Sequence, residues 1–503
     1  MTERAPPAFL SRAFANLITA ASNACFLLVV PAVLVRSLGP EEFAVWVLVL
    51  QISGYTALLT LGLQDAVGRY VAYHHARGDA VAAWEFVDTA FWLLCAAGLV
   101  GAVAVAVVGM RIAPLFPQVP LRLAPFARSM LWATGVTLSA GLPFVAFSGV
   151  LIGLRRNDVV AAVLGTAKFV LTILLGLIAW KSHSLLWLTL CFVAVNGLSY
   201  AALWAACRRL SGVAVGFAIP SRELLREVWR YCGTMLVWQI SMLMITGLDV
   251  IIVGRVDFPA VPYYTVALVP VALLTGAMPA LFSPLMQVGA AYAAQGQETL
   301  LIPLLERSTR LATVVLAVAA SLLLLFEPEL YSAWLGAEYG IKVAPILILV
   351  IIGHALRQIA FPYTTLLLST NRHQQLVMSP IAEGAANVLI AVIAGREYGV
   401  IGVASAVVFG SAVGQLMNYF HNLPRTHGPH FDRRTLLVNS VCLPLLCFIP
   451  VLAWVPLCRE FAFPEGSSLA VRFVLLLLCC VLAWRFAVRP VERHALLSHL
   501  RRT

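Results

Sequence analysis

Long apolar runs separated by short polar segments follow one another along almost the whole chain. A membrane-spanning helix needs about 20 apolar residues to cross about 30 Å of hydrocarbon at about 1.5 Å per residue. The pattern therefore predicts an all-α integral membrane protein with about fourteen transmembrane helices. The predicted spans are residues 13–35, 43–63, 84–109, 127–153, 159–179, 184–206, 232–253, 263–288, 309–326, 343–369, 376–394, 401–422, 437–456 and 469–488.

Composition supports a membrane protein, and the placement of the basic residues argues against a nucleic-acid-binding protein. Of the 503 residues, 61% are hydrophobic and 11% are charged, which is more apolar surface than a soluble core can bury. A net charge of +11 would suit a nucleic-acid-binding protein. The basic residues nevertheless lie between the apolar runs, almost never in a patch with interleaved aromatic residues, so no nucleic acid partner is predicted. The first apolar run has no A-x-A cleavage site and is expected to remain as the first span.

The distribution of lysine and arginine predicts the orientation in the membrane. Basic residues beside spans are retained preferentially on the cytoplasmic side. With the N-terminus inside, 22 of the 34 lysines and arginines fall in or next to cytoplasmic segments, about twice as many as fall outside. We therefore expect both ends of the chain in the cytoplasm.

A weak internal repeat relates the two halves of the chain at an offset of 218 residues. It predicts two six-helix lobes followed by an extra helix pair. The pairs it aligns are Val35 with Val253, Trp46 with Tyr264, Ala76 with Ala294 and Gly78 with Gly296. The predicted parts are an N-terminal lobe at 1–206, a cytoplasmic linker at 207–231, a C-terminal lobe at 232–422 and a helix pair with a basic tail at 423–503.

Sequence signatures of catalysis and cofactor binding are absent. The chain has no GxxxxGK[ST], HExxH or GxSxG motif, so neither a nucleotide-driven pump nor an enzyme is predicted, and no cofactor is expected. Nine of the ten cysteines lie in or beside apolar runs without CxxC spacing and are expected to be buried hydrophobes. His421, His427, His430 and Asp432 have spacing that suits a metal, but a solvated loop is the more typical explanation, and no metal site is predicted.

The first two spans carry a family signature. It runs from Val35 to Phe43 (VRSLGPEEF), continues through Leu61-Gly62-Leu63, and ends with Arg69, Ala72, Ala76, Arg77, Gly78 and Asp79. The chain resembles the Wzx-type polysaccharide flippases of the multidrug/oligosaccharidyl-lipid/polysaccharide (MOP) exporter superfamily. The resemblance is most specific over residues 13–80, and it continues more loosely through Asp249 and Gly254 to Tyr264.

The resemblance implies an alternating-access transporter of the bacterial inner membrane. Its two lobes would enclose a central, often cationic cavity that receives the sugar-diphosphate head of a polyprenyl-linked glycan, and the last helix pair would shelter the lipid tail. Expected partners are this glycan lipid, membrane lipids, and the polymerase and chain-length machinery of O-antigen, lipopolysaccharide or exopolysaccharide synthesis.

The residues of the signature also have a local structural explanation. Gly39-Pro40 stops a helix, and Glu41-Glu42 places negative charge at the start of the next helix. A plain outside turn would look the same. Arg69 and Arg77 follow the second span and fit either a solvated cytoplasmic face or a loop that meets the glycan head as it enters.

Two cations are predicted near the middle of spans, where an unpaired charge costs about 2.5–3.5 kcal/mol. They are Lys168 and Arg357, and His354 and Gln358 share the helical face of Arg357. Fixed positive charges at mid-depth would suit a diphosphate head. The alternative pairs each cation with a buried acid. Candidate acids are Glu383, Asp249 and Asp88, of which Asp249 and Glu383 are also candidates for coupling transport to H⁺ or Na⁺.

Neutral polar stripes mark the spans that line the cavity in the resembled family, namely the first, second, seventh and eighth. Here their interiors contain no lysine or arginine, a departure from that family. Amides and hydroxyls suit sugar hydroxyls, and hydrogen bonds between helices explain them equally well. The candidates are Asn16, Thr19, Asn23, Gln51, Tyr55 and Gln239. Without an arginine set on the first span, an O-antigen or exopolysaccharide flippase is favoured over a lipid II flippase.

Two rival functions remain open. A cation-coupled exporter of small drugs shares the two-lobe plan, but it commonly has twelve spans and an acidic cavity. A membrane glycosyltransferase or polymerase would need catalytic residues on long outside loops. The longest predicted outside loop, 110–126, contains no acidic residue.

Overall fold

Two compact units make up the computed structural model of the chain. It describes the backbone of residues 7–211, 222–370, 372–426, 431–460, 465–488 and 493. Unit 1 comprises the chain up to Ile240 together with Val253–Pro262. Unit 2 comprises Ser241–Ile252 and the chain from Tyr263 onward. The boundaries of the four predicted parts remain a prediction.

The regular secondary structure of unit 1 is helical in the part that the structure describes. A 3₁₀ turn at Tyr55–Thr60 links two of its helices, and Phe258–Ala260 forms another. The helices are α1 Pro7–Leu38, α2 Pro40–Gly54, α3 Leu63–Arg77, α4 Ala80–Met110, α5 Ile112–Leu115, α6 Ala124–Gly141, α7 Phe144–Gly153, α8 Asn157–Ser182, α9 Leu185–Ser211 and α10 Arg222–Met242, the last of which ends in unit 2.

Unit 2 is also helical, with short π-helical and 3₁₀ segments between its α-helices. The π-helical segments are Leu243–Gly247, Asn418–Asn422, Val438–Cys442 and Ala483–Ala487. The 3₁₀ segments are Glu298–Leu300, His373–Leu376 and Leu423–Arg425. The helices are α11 Asp249–Val256, α12 Val261–Ala294, α13 Leu301–Leu335, α14 Ala337–Gln358, α15 Phe361–Ser369, α16 Met378–Met417, α17 Arg433–Leu437, α18 Leu443–Leu446, α19 Ile449–Glu460 and α20 Glu465–Leu482, of which α11 and α12 begin or end in unit 1.

The predicted fold class is confirmed. Among the described residues, 11 helical segments are long and apolar enough to cross a membrane, or 12 if Met235–Gly247 and Asp249–Val256, which meet at 44°, form one bent span. One of the segments, Met378–Arg425, contains Gly399 at φ 57°, ψ −138°, where its helical geometry is interrupted. This break lies between the predicted eleventh and twelfth spans. The chain is thus a multi-pass, all-α membrane protein, and the count of fourteen remains a prediction.

The predicted helix stop at Gly39 is present. Gly39 adopts φ 80°, which glycine reaches without steric cost, and Pro40 opens α2. Glu41 and Glu42 occupy the first turn of α2, where negative charge complements the helix dipole. Arg122 donates to Glu41 at 2.6 Å, and both side chains are more than half exposed.

Gly78 and Gly296, which the internal repeat aligned, end their helices in the same way. Their φ angles are 74° and 70°. The next residue's N–H returns to a carbonyl five residues back in each case, Asp79 to His74 at 3.0 Å and Gln297 to Tyr292 at 2.9 Å. Both are Schellman-type C-caps that need a left-handed residue.

Close helix packing builds the core of unit 1. Val67 on α3, Leu94 on α4 and Leu151 on α7 are buried together. Gly149 and Gly153 lie against α3 so closely that an added Cβ would fall within 3 Å of its atoms. Small residues of this kind allow membrane helices to approach, since lipid offers no hydrophobic drive for helix association.

Candidate functional site

A cluster of polar side chains is buried within unit 2, on α11, α14 and α16. We call it the unit 2 polar cluster. Most of its members are buried, from 0% exposed for Asn387 to 7% for His354 and Glu383, and the Arg357 side chain is 17% exposed. Its members are Asp249, His354, Arg357, Glu383, Asn387 and Ser411. Polar groups at such depth require partners, a cavity or a function.

An ion pair lies at the centre of this cluster. Arg357 Nε donates to Glu383 Oε1 at 2.5 Å, with the arginine side chain 17% exposed and the glutamate 9% exposed. Ser411 Oγ donates to the same oxygen at 3.3 Å. The sequence left open whether Arg357 contacts a diphosphate or pairs with a buried acid. The structure shows a buried acid, Glu383, as its partner.

His354 contacts Arg357 one turn away, as the spacing predicted. Arg357 Nη1 donates to His354 Nδ1 at 3.0 Å. Because a guanidinium only donates, Nδ1 accepts and this histidine is neutral, with its proton on Nε2. Gln358 is partly buried and forms no hydrogen bond within the described part of the chain.

Asn387 braces the bend between α10 and α11. The turn Leu243–Gly247 frees backbone carbonyls from the helical ladder. The Asn387 Nδ2 amide lies 3.1 Å from the carbonyl oxygens of Met244 and Ile245, and 3.0 Å from Asp249 Oδ1. Broken membrane helices persist where other groups satisfy the freed backbone, and one amide does so here.

Glycines bring the two halves of α16 close to each other and to this bend. A Cβ at Gly410 would lie 2.9 Å from that of Asn387, and one at Gly384 would lie 2.8 Å from that of Met244. A Cβ at Gly414 would overlap the carboxylate of Glu383. Gly410 and Gly414 form a GxxxG pair, and the ion pair and the brace both depend on the space it leaves.

We predict that Asn387→Ala lowers the free energy of unfolding by about 1–2 kcal/mol, because the two amide hydrogens serve three acceptors and each hydrogen bond contributes about 0.6 kcal/mol in a membrane interior. Thermal unfolding in detergent measures this. Asn196→Ala is the matched control, because within the described ranges the Asn196 amide donates only to Phe192 O in its own helix. Equal losses in the two variants would contradict the bracing role.

Lys168 lies near the middle of α8 in unit 1 and is partly buried. Its Nζ stands 5.0 Å from the centre of the Phe26 ring. Within the part of the chain that the structure describes, no carboxylate lies at ion-pair distance from it. A cation–π contact offsets part of the cost of a buried ammonium but leaves its charge uncompensated.

The neutral candidates fall in separate places. The side chains of Asn16 and Thr19 lie outside the described residues, and Asn23 and Gln51 in unit 1 are partly buried. Gln239 on α10 is also partly buried. Sequence reasoning missed one buried pair in unit 1, Ser53 and Thr134, whose hydroxyls lie 2.7 Å apart.

The candidate basic residues after the second span lie on α3 and are exposed. The Arg69 and Arg77 guanidinium groups stand 5.5 Å and 4.2 Å from the ring centres of Tyr70 and Tyr73. Both can meet an anion from solvent, and neither belongs to the unit 2 polar cluster.

Near the predicted histidine loop, His427 and His430 lie outside the described residues. Asp432 accepts hydrogen bonds from the Thr435 hydroxyl and from the Arg434 backbone at the start of α17, and these bonds, the first above all, lower the pKa of its carboxyl. Among the described residues, no group of three potential metal ligands occurs.

Comparison with known proteins identifies the fold. No protein-family model matches the sequence, and no curated protein matches it. Solved structures do. The lipid II flippase MurJ in an inward closed conformation matches with a TM-score of 0.68 and 13% identity, over 95% of this chain and 97% of that one.

An inward-facing multidrug resistance MATE transporter of the MOP superfamily matches with a TM-score of 0.63 and 14% identity, over 83% of this chain and 96% of that one. A MOP superfamily transporter from Pyrococcus furiosus gives 0.54 and 15%, over 85% and 96%. The chain has the fold of the MOP-superfamily transporters. Identities this low show the MOP fold alone, and the Wzx-type resemblance stays a prediction.

Proposed function

We propose that this protein is a flippase that moves a polyprenyl-diphosphate-linked oligosaccharide from the inner to the outer leaflet of the bacterial inner membrane, for surface polysaccharide synthesis. It would work by alternating access, as a transporter and not as an enzyme, with both termini in the cytoplasm. The polymerase and chain-length machinery of the same synthesis are its proposed partners.

The extent of the structural match carries this proposal. The match to the lipid II flippase covers 95% of the chain at a TM-score of 0.68, whereas the match to the inward-facing MATE transporter covers 83% at 0.63. The larger coverage favours the architecture of a lipid-linked glycan flippase over that of a drug exporter. The signature over residues 13–80 adds independent support.

Charge placement suggests separate roles for the two predicted cations. Lys168 has no carboxylate partner among the described residues, so we assign it to the diphosphate. Arg357 is already offset by Glu383, so we assign it, with His354 and Asp249, to the coupling of transport to H⁺ or Na⁺. A membrane potential that is negative inside would help expel an anionic head by about 2.3 kcal/mol per charge per 100 mV.

A reconstituted flipping assay tests the proposal. Purified protein in vesicles should transfer a fluorescent polyprenyl-diphosphate oligosaccharide between leaflets at least tenfold faster than protein-free vesicles, measured by quenching from outside. The same vesicles are loaded with a cationic dye under a proton or sodium gradient. Dye export without glycan transfer would contradict the flippase and identify a drug exporter, and a new sugar polymer would identify an enzyme.

A further inference from the structure

An open groove of about 830 Å³ runs along unit 1 between α4, the α6–α7 segment and α9. Its walls are aromatic. Phe91 and Phe147 have ring centres 5.6 Å apart, and Phe144 stacks on Tyr200 at 5.6 Å. Neither Lys168 nor any member of the unit 2 polar cluster is among its lining residues. The proposed function does not use the groove.

The lining of the groove changes from aromatic to charged along one face of α9. Tyr200, Trp204 and Arg208 follow one another at intervals of four residues on α9, so they line the groove in that order. The Arg208 guanidinium stands 5.7 Å from the centre of the Trp204 ring, in the last turn of the helix. Aromatic rings followed by a cation are typical of the level at which lipid headgroups meet hydrocarbon.

A glycine keeps the groove open. Gly197 is a lining residue, and a Cβ added to it would meet no atom within 4 Å. Glycine in a helix interior costs about 0.5–1 kcal/mol relative to alanine, and no close approach of another described segment requires it at this position.

Unit 2 contains a matching cavity of about 440 Å³, and there the chain itself supplies an additional wall. Its lining residues recur 219 positions after those of the groove, with Tyr363 for Phe144, Leu416 for Gly197 and Tyr419 for Tyr200. Leu436 and Leu437 of α17, with Val441, complete the lining. Among the described residues, the lining of the unit 1 groove contains no such wall, and Gly197 occupies the position of Leu416 in unit 2.

We propose that the unit 1 groove binds one anionic phospholipid, whose acyl chain lies along the aromatic walls and whose phosphate pairs with Arg208. The positive charge at one end of an otherwise apolar groove selects a lipid with net negative charge over a zwitterionic one.

Native mass spectrometry of the purified full-length protein tests this site, with phosphatidylglycerol and phosphatidylcholine as probes. The first phosphatidylglycerol should bind about fivefold more tightly than the first phosphatidylcholine, since one arginine at the membrane surface contributes about that factor. Arg208→Gln should remove the preference. Gly197→Leu should weaken binding of either lipid at least tenfold by filling the groove.

Two variants serve as matched controls. Arg209→Gln removes the neighbouring exposed charge, which does not line the groove. Gly176→Leu adds the same side chain to a membrane helix of the same unit, at a glycine that also has open space. Both should bind lipid as the unmutated protein does. Equal losses in Arg208→Gln and Arg209→Gln, or unchanged binding in Gly197→Leu, would overturn the proposal. Size-exclusion profiles confirm folding, and the exposed Arg208 can be replaced without disturbing the core.

Discussion

Glu383→Ala should destabilise the protein by about 3 kcal/mol, because removing one partner of a buried ion pair leaves the other charge uncompensated. Among the described side chains, Arg357 would then keep only His354 as a hydrogen-bond partner, 3.0 Å from its Nη1. Its Nη2 is already buried without a hydrogen-bond partner among the described residues. Denaturation in mixed detergent micelles measures the change.

A double variant separates this effect from simple loss of packing. Arg357→Met in the Glu383→Ala background removes the orphaned charge and should recover most of the lost stability. Glu338→Ala is the matched control in the same unit, because its ion pair with Lys342 is more than half exposed and should contribute less than about 1 kcal/mol. A double variant no more stable than Glu383→Ala would argue against the ion pair as the cause.

Lys168→Ala should slow flipping of the glycan lipid by about tenfold, the value of one charge-assisted contact to a phosphate at about 1.5 kcal/mol. Lys168→Arg keeps the charge and should retain most of the rate. Lys181→Ala, an exposed lysine in the last turn of the same helix, should have no effect. The vesicle assay above gives the rates.

One outcome would overturn the assignment of Lys168, and one control checks that the variants fold. Flipping at the unmutated rate in Lys168→Ala would remove it from the substrate path. Thermal unfolding checks the folding of each variant, since Lys168 also contacts Phe26.

The fold was predictable because it depends on local patterns. Run length identified the membrane helices, and Gly39-Pro40 identified the stop before α2. The seventh span is predicted as one uninterrupted run, 232–253, whereas the structure breaks it at Leu243–Gly247. Gly247 was the local signal for this break, since glycine inside a helical pattern weakens it.

The candidate site was only partly predictable, because its contacts join distant positions. Spacing placed His354 beside Arg357, one turn away on the same helix. Glu383 was one of three acids that the sequence offered, and the choice required the packing of α16 on α14. Asn387 stands one turn from Glu383 on the same helical face, which suits a hydrogen bond between helices, but its partners could not be named because the carbonyls that it satisfies lie more than 140 positions away.

The matched C-caps at Gly78 and Gly296 have a practical consequence for tracing ancestry. Sequence similarity to the structural neighbours has fallen to 13–15% identity, and most positions can change while burial is preserved. A residue with φ near 70° admits few alternatives to glycine, since other side chains collide with the backbone. Such positions are therefore the best landmarks for registering this chain against diverged homologues, and for registering its first half against its second.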